Sequence, residues 1–241
     1  MSAPNDFVRL EMRGGVAEVR LDRPSRRNAI NLTFARQLDK VLTRVEQDDS
    51  IRVILMTANG PAFCAGQDLK ALSEGEPEAF IEGSGWAAIT HRKRTKPLIA
   101  AVQGPALAGG FEIVLAADLV VASRDATFGL PEIHHGLLAA AGGAARLPVR
   151  IAPAAALKIL LTGDPLDAET ALSLGLINSV VDRAELEREA ERLAERVAEQ
   201  PPAALAATLA VAHCALASGE SSADALAGQL LAELHSTRST A

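Results

Sequence analysis

The sequence predicts an α/β fold with a helical C-terminal region, and three observations support it. Short β-branched or apolar runs alternate with segments whose apolar residues recur at helical spacing. Glycine- and proline-bearing turns separate them, so strand–turn–helix units repeat, which implies crossover connections and a layered core. From about residue 184 the pattern becomes helical throughout and rich in alanine.

The first strand-like segment, Val16–Leu21, alternates apolar and polar positions and precedes a turn at Asp22-Arg23-Pro24. Residues 32–46 place Leu38, Val41, Leu42 and Val45 at helical spacing, with Asn31 as the N-cap. Residues 51–56 form a β-branched run that breaks at Asn59-Gly60-Pro61. Asp68 stands where it can cap a helix starting at Leu69. Leu98–Val102 is a continuous apolar run ending at Gly104-Pro105, as expected of a strand buried on both faces. Residues 110–117 read as a helix, 119–122 as another strand and 153–161 as a helix. The division this suggests is a core over residues 1–183 and a helical region over 184–241.

At 241 residues the chain can bury a substantial core. Aromatics are scarce: six Phe, one Trp and no Tyr. Apolar stretches such as Leu98–Val102 are far too short to span a bilayer. The N-terminal Met1-Ser2-Ala3-Pro4-Asn5-Asp6 lacks the basic start and apolar centre of a signal peptide. Cys64 and Cys214 are isolated thiols without metal-ligand spacing, so a reducing compartment, no metal and a cytoplasmic location are expected. A formal net charge of −6 argues against a general nucleic-acid or membrane-surface binder. Positive charge is local, at Arg23, Arg26 and Arg27 and again at Arg92, Lys93, Arg94 and Lys96. Each run reads either as a solvated face or as the rim of a pocket for an anionic small molecule.

Two turns built of small residues stand out. One is Pro61-Ala62-Phe63-Cys64-Ala65-Gly66-Gln67-Asp68-Leu69-Lys70, the other Gln103-Gly104-Pro105-Ala106-Leu107-Ala108-Gly109-Gly110-Phe111-Glu112. Small residues let a ligand approach the backbone, and a helix starting at each turn offers free N–H groups. One N–H from each, aimed at a common point, would make an oxyanion hole; a glycine-rich strand–helix corner taken alone is more often mere packing. Glu112 and Glu132 each follow a glycine-bearing turn among apolar neighbours. A carboxylate there loses hydration, so its pKa rises and it can exchange a proton near neutral pH. Taken singly, Glu112 also reads as a carboxylate favoured near a helix start, and Glu132 as a loop residue after proline.

Phe63-Cys64-Ala65-Gly66-Gln67-Asp68-Leu69-Lys70 followed by Gly109-Gly110-Phe111-Glu112 resembles the enoyl-CoA hydratase/isomerase (crotonase) superfamily. So do Lys96-Pro97-Leu98-Ile99-Ala100-Ala101-Val102, Phe128-Gly129-Leu130-Pro131-Glu132 and Leu161-Thr162-Gly163-Asp164, in the family's order, over residues 8–181. The resemblance implies an α/β, crotonase-like spiral of ββα units with a C-terminal α-helical region used for assembly into a homotrimer or a hexamer of two trimers. It implies an acyl-CoA thioester as substrate, with CoA part of that substrate and no separate cofactor. The backbone N–H groups of Gln67 and Gly109 match the oxyanion pair, and Glu112 and Glu132 match both glutamates of the hydratases. Retaining both favours addition of water to a 2-enoyl-CoA, giving a 3-hydroxyacyl-CoA. Arg26 and Arg27 match the segment lying along the CoA pantetheine and phosphates, and Lys70 a residue near the adenine. Ala29, Ala65, Asp68, Leu69 and Ala140 complete the implied CoA and substrate lining. Asp68 is there as a helix cap. Trp86 falls in the variable segment where the family shapes its acyl pocket, and a lone Trp there reads as packing before specificity.

Three features depart from the family pattern. Leu138-Ala139-Ala140-Ala141-Gly142-Gly143 replaces a Pro-Gly pair, putting Ala140 where a backbone N–H helps hold the water. His134-His135 closely follows Glu132, either as a surface pair or with one of them tuning Glu132 or touching a polar acyl group. The chain ends at Ala241, where an additional terminal helix contributing to CoA binding is expected in many members. Competing readings are a double-bond isomerase or other acyl-CoA lyase using one glutamate, and a non-catalytic acyl-CoA-binding homologue. A serine hydrolase ranks last, since no serine lies at either turn.

Overall fold

Strand β3 (Val53–Ala58) has the sequence VILMTA and is buried along nearly its whole length. Its side chains alternate between two cores: Ile54 and Met56 join the larger one, Val53 and Leu55 a smaller one. β6 (Leu98–Val102) does the same, with Leu98, Ala100 and Val102 on one face and Ile99 and Ala101 on the other. This is the doubly buried strand that its continuous apolar run predicts. The structure, a computed structural model, describes residues 6–238, with side chains described through residue 235.

Around these strands a six-stranded sheet is ordered β1-β2-β3-β6-β8-β11. β1 (Val8–Arg13) and β2 (Val16–Leu21) form an antiparallel hairpin at one edge. From β2 onward the pairing is parallel, through β8 (Leu119–Ser123) to β11 (Ser179–Val181). A second, short layer runs alongside: β7 (Ala106–Leu107) pairs parallel with β9 (Thr127–Gly129), and β10 (Leu166–Asp167) joins antiparallel. An isolated parallel bridge between Cys64 and Ala106 extends this layer. The middle turns of the chain, β6–β7 and β8–β9, each lay one long strand in the large sheet and one short strand in the small layer before a helix, whereas the first turn puts both β1 and β2 in the large sheet. That is the expected spiral of ββα units.

The helices follow their sequence signals closely. α1 (Leu32–Gln47) is capped by Asn31, whose side chain accepts the Phe34 N–H at 3.1 Å. α2 (Leu69–Ser73) is capped by Asp68, and α3 (Gly109–Ala116) begins one residue earlier than the sequence suggests. β3 begins two residues later than the β-branched run, because Ile51 is used up in the entry turn, its N–H bonded to Asp48 O. α4 (Gly143–Arg150), α5 (Pro153–Thr162) and α6 (Ala168–Ser173) complete the far side. α7 (Leu186–Ala198) sets Leu186, Ala190, Ala194 and Ala198 against Val53, Leu55, Ile99, Ala101 and Val121, sealing the second face of the sheet. α8 (Pro202–Ser218) and α9 (Glu220–Arg238) pack on each other beyond it. A two-residue hairpin of β4 (Phe80–Ile81) and β5 (Gly85–Trp86) fills the segment between α2 and β6. No single helix among the described residues is long and apolar enough to cross a membrane.

Candidate functional site

Two tight corners are brought together by the small layer. Gly66 has φ of +90°, and a Cβ on it would stand 2.9 Å from Ala108 Cβ and 3.2 Å from the Gly109 nitrogen. Only glycine permits both that conformation and that approach. The two candidate oxyanion corners are thus in contact. The parallel bridge of Ile30 with Gln67 is made by Ile30 N–H to Gly66 O and Asp68 N–H to Ile30 O, which leaves the Gln67 N–H out of the ladder. Gly109 is the first residue of α3, so its N–H has no partner within the helix. Ala108, just before it, is held at φ 50° and ψ −127°, an unfavourable conformation for alanine, and its carbonyl accepts the Phe111 and Glu112 N–H groups.

Glu112 projects from the first turn of the same helix, about one turn beyond Gly109, and is buried. Its Oε1 accepts the Gly143 N–H at 2.8 Å, at the start of α4. Burial pushes its pKa up to about 7; the Glu132 charge pushes the same way, while the Gly143 and Ala141 N–H groups and Arg146 pull against it. Glu132 lies in a short 3-10 turn, Pro131–His135, and burial raises its pKa too. One of its carboxylate oxygens is buried without a hydrogen-bond partner among the described residues. His135 opposes the rise, so of the two histidines it is the one that feels Glu132; His134 instead reaches Thr162 O at 2.6 Å. Gly143 has no room for a side chain: a Cβ there would come within 3.1 Å of Glu112 Oε1.

The segment carrying Arg26, Arg27 and Ala29 runs beside the first corner, tied to it by Ala65 N–H to Arg27 O at 3.0 Å and Ile30 N–H to Gly66 O at 2.8 Å. Arg26, Arg27, Leu69 and Lys70 are all exposed on this edge, and Lys70 pairs only loosely with Glu74 at 3.7 Å. Asp68 is fully occupied, one oxygen capping α2 and the other accepting from Arg23 at 2.6 Å. Ala140 is exposed in the turn between Glu132 and Gly143. The backbone N–H groups felt by Glu112 are those one and three residues further on, at Ala141 and Gly143. The sequence pointed to that turn through Ala140, but not to the Ala141 and Gly143 N–H groups, and the contact of Trp86 with both corners was not readable from the motifs. Trp86 Nε1 donates to Gln67 Oε1 at 3.0 Å across 19 residues of irregular chain.

Fold and site together define a crotonase-fold enzyme whose two amide-bearing corners touch and whose Glu112 and Glu132 carboxyl groups are both shifted upward in pKa by burial. The protein-family model described as enoyl-CoA hydratase/isomerase matches residues 11–240. A carnitinyl-CoA dehydratase of Proteus mirabilis is 43% identical over 182 residues, spanning 74% of this chain and 69% of the relative. The crystal structure of an enoyl-CoA hydratase from Mycobacterium tuberculosis H37Rv superimposes with a TM-score of 0.88 at 40% identity, covering 93% of this chain and 88% of that one. One from Mycobacterium marinum gives 0.90 at 39% identity, covering 95% and 90%. The chain belongs to the enoyl-CoA hydratase/isomerase family, and it is an enzyme of the hydro-lyase class.

Proposed function

We propose that the protein adds water to a 2-trans-enoyl-CoA thioester, and removes it from the 3-hydroxyacyl-CoA in the reverse direction. The observation that supports this most directly is the carboxylate pair: Glu112, raised to about 7, feels the like charge of Glu132, which keeps a buried oxygen without a partner among the described residues. Two carboxylates in that relation share protons and titrate as a pair. The thioester oxygen sits between the Gln67 and Gly109 N–H groups, and charge builds on it as an enolate during attack at C3. The Glu132 oxygen orients the water and takes its proton, and Glu112 delivers a proton to C2. Overall one O–H bond of water breaks, a C–O and a C–H bond form, and the alkene π bond is consumed. The relative named as a carnitinyl-CoA dehydratase fits the reverse reaction on a substituted acyl group. Arg26 and Arg27 lie along the CoA pantetheine and phosphates and Lys70 near the adenine, with Ala29, Ala65, Leu69 and Ala140 completing the CoA and substrate lining.

The test is loss of the conjugated-enoyl absorbance of crotonyl-CoA. Glu112→Gln and Glu132→Gln are each expected to lower kcat by about 10²–10⁴-fold. If only one substitution abolishes turnover while 3-enoyl-CoA isomerisation persists, hydration is not the reaction.

A further inference from the structure

Trp86 is the only tryptophan in the chain, and β5 carries it to the junction of the two corners. Its ring fills the space beside Gly109, where a Cβ would come within 2.4–2.7 Å of three ring carbons. Its indole N–H donates to Gln67 Oε1, and the Ala79 N–H donates to the same oxygen at 3.2 Å. With Oε1 held twice, the Gln67 carboxamide has a single orientation, and its buried Nε2 has no partner among the described residues. The two residues after Trp86, Ala87 and Ala88, both have positive φ, 52° and 58°. Alanine holds that conformation only where its surroundings impose it. The Ala87 N–H bonds to Ala79 O at 2.8 Å and the Ala88 N–H to Gly85 O at 3.2 Å, so the hairpin that delivers the indole is itself clamped.

We propose that Trp86 is a positioning residue, bracing Gln67 through a hydrogen bond and Gly109 through ring contact so that both amides converge on one thioester oxygen. This rests on the hydratase reading above. A donor displaced by a fraction of an ångström loses most of its value to a developing oxyanion, so a brace touching both amide-bearing residues acts on turnover more than on binding.

Trp86→Phe keeps an aromatic ring against Gly109 and deletes the N–H. The expected result is a fall in kcat of about tenfold, the worth of one such hydrogen bond, with KM little changed. Gln67→Ala keeps its backbone N–H and should show a similar fall, and the double variant should be no worse than either single one. A kcat equal to wild type, or kcat and KM altered together, would overturn the brace. Trp86 fluorescence gives a separate readout on the unaltered enzyme, since no other tryptophan or tyrosine contributes. Butyryl-CoA, whose carbonyl can enter the corners, should change the emission, whereas its thioether analogue S-butyl-CoA should not. Equal responses, or none, count against the proposal even if Trp86→Phe fails to fold. Should wild type hydrate no enoyl-CoA, the hydratase reading fails, while the two ligands still decide the brace.

Discussion

A carboxyl group in apolar surroundings makes a protein's stability depend on pH, and Glu112 shows the sign. Its folded pKa, raised to about 7 by burial, lies above the ordinary 4.5. Between those values the folded chain keeps a proton that the unfolded chain has released, so stability falls as pH rises across that window. Below 4.5 both states hold the proton; above about 7 neither does. Glutamine preserves the acceptor for the Gly143 N–H and removes the ionisation. Glu112→Gln is therefore expected to be more stable than wild type at pH 8, on the order of 2 kcal/mol, with the gap closing by pH 4. Urea unfolding at the two pH values measures it. A variant less stable at pH 8 would mean that Glu112 is ionised at little cost where it stands. Stability gained while turnover is lost is the signature of a group kept for chemistry.

At the scale of elements, α7 shows what sequence patterning reveals and what it hides. The helix lies in the stretch that reads as helical throughout, and Glu187, Arg188, Glu191, Arg192, Glu195 and Arg196 mark its solvent side, whereas α8, alanine-rich all round, marks no face. Ala190 and Ala194 are completely buried, and Ala198 nearly so, because a methyl group is all that the approach to β3, β6 and β8 allows. Ala194→Leu should cost about 1–3 kcal/mol by overpacking, read as a lower urea midpoint, with kcat of the folded enzyme unchanged. Wild-type stability would show slack in that layer. The small layer escaped reading for a different reason: strands of two or three residues, such as β7, β9 and β10, are too short to display a period. β2, β3, β6, β8, Asn31 and Asp68 were readable because alternation, doubly buried runs and N-caps leave local marks, whereas β1, exposed along most of its length, was not. Gly66, Gly109, Glu112 and Glu132 were readable too, because their turns have distinctive composition. Trp86 against Gln67 was not, since it depends on how 19 intervening residues fold.

Across the whole molecule, an ion network joins α8 to the core. Asp118, between α3 and β8, accepts from Arg94 at 2.7 Å and from the Leu98 N–H at 2.6 Å, and it meets His213 of α8 at 2.7 Å. Burial alone would raise the Asp118 pKa, but the bonds from His213, Arg94 and Leu98 outweigh it and hold the carboxyl at about 2. Its contribution to stability is therefore present above its ordinary value of 3.8 and is lost as pH falls toward 2. The partners differ in kind. Arg94 is nearly inaccessible, while the His213 side chain is 42% exposed on an outer helix. Asp118→Asn leaves a buried guanidinium without its counter-charge and should destabilise the entire fold by about 3–5 kcal/mol. His213→Ala removes only the link to α8, so its effect should stay local. Limited proteolysis at neutral pH separates the two: His213→Ala should be cut faster within residues 200–238 while its global unfolding midpoint stays close to wild type. Equal cutting rates in His213→Ala and wild type would show that apolar packing alone holds α8 and α9, with the Asp118 contact incidental.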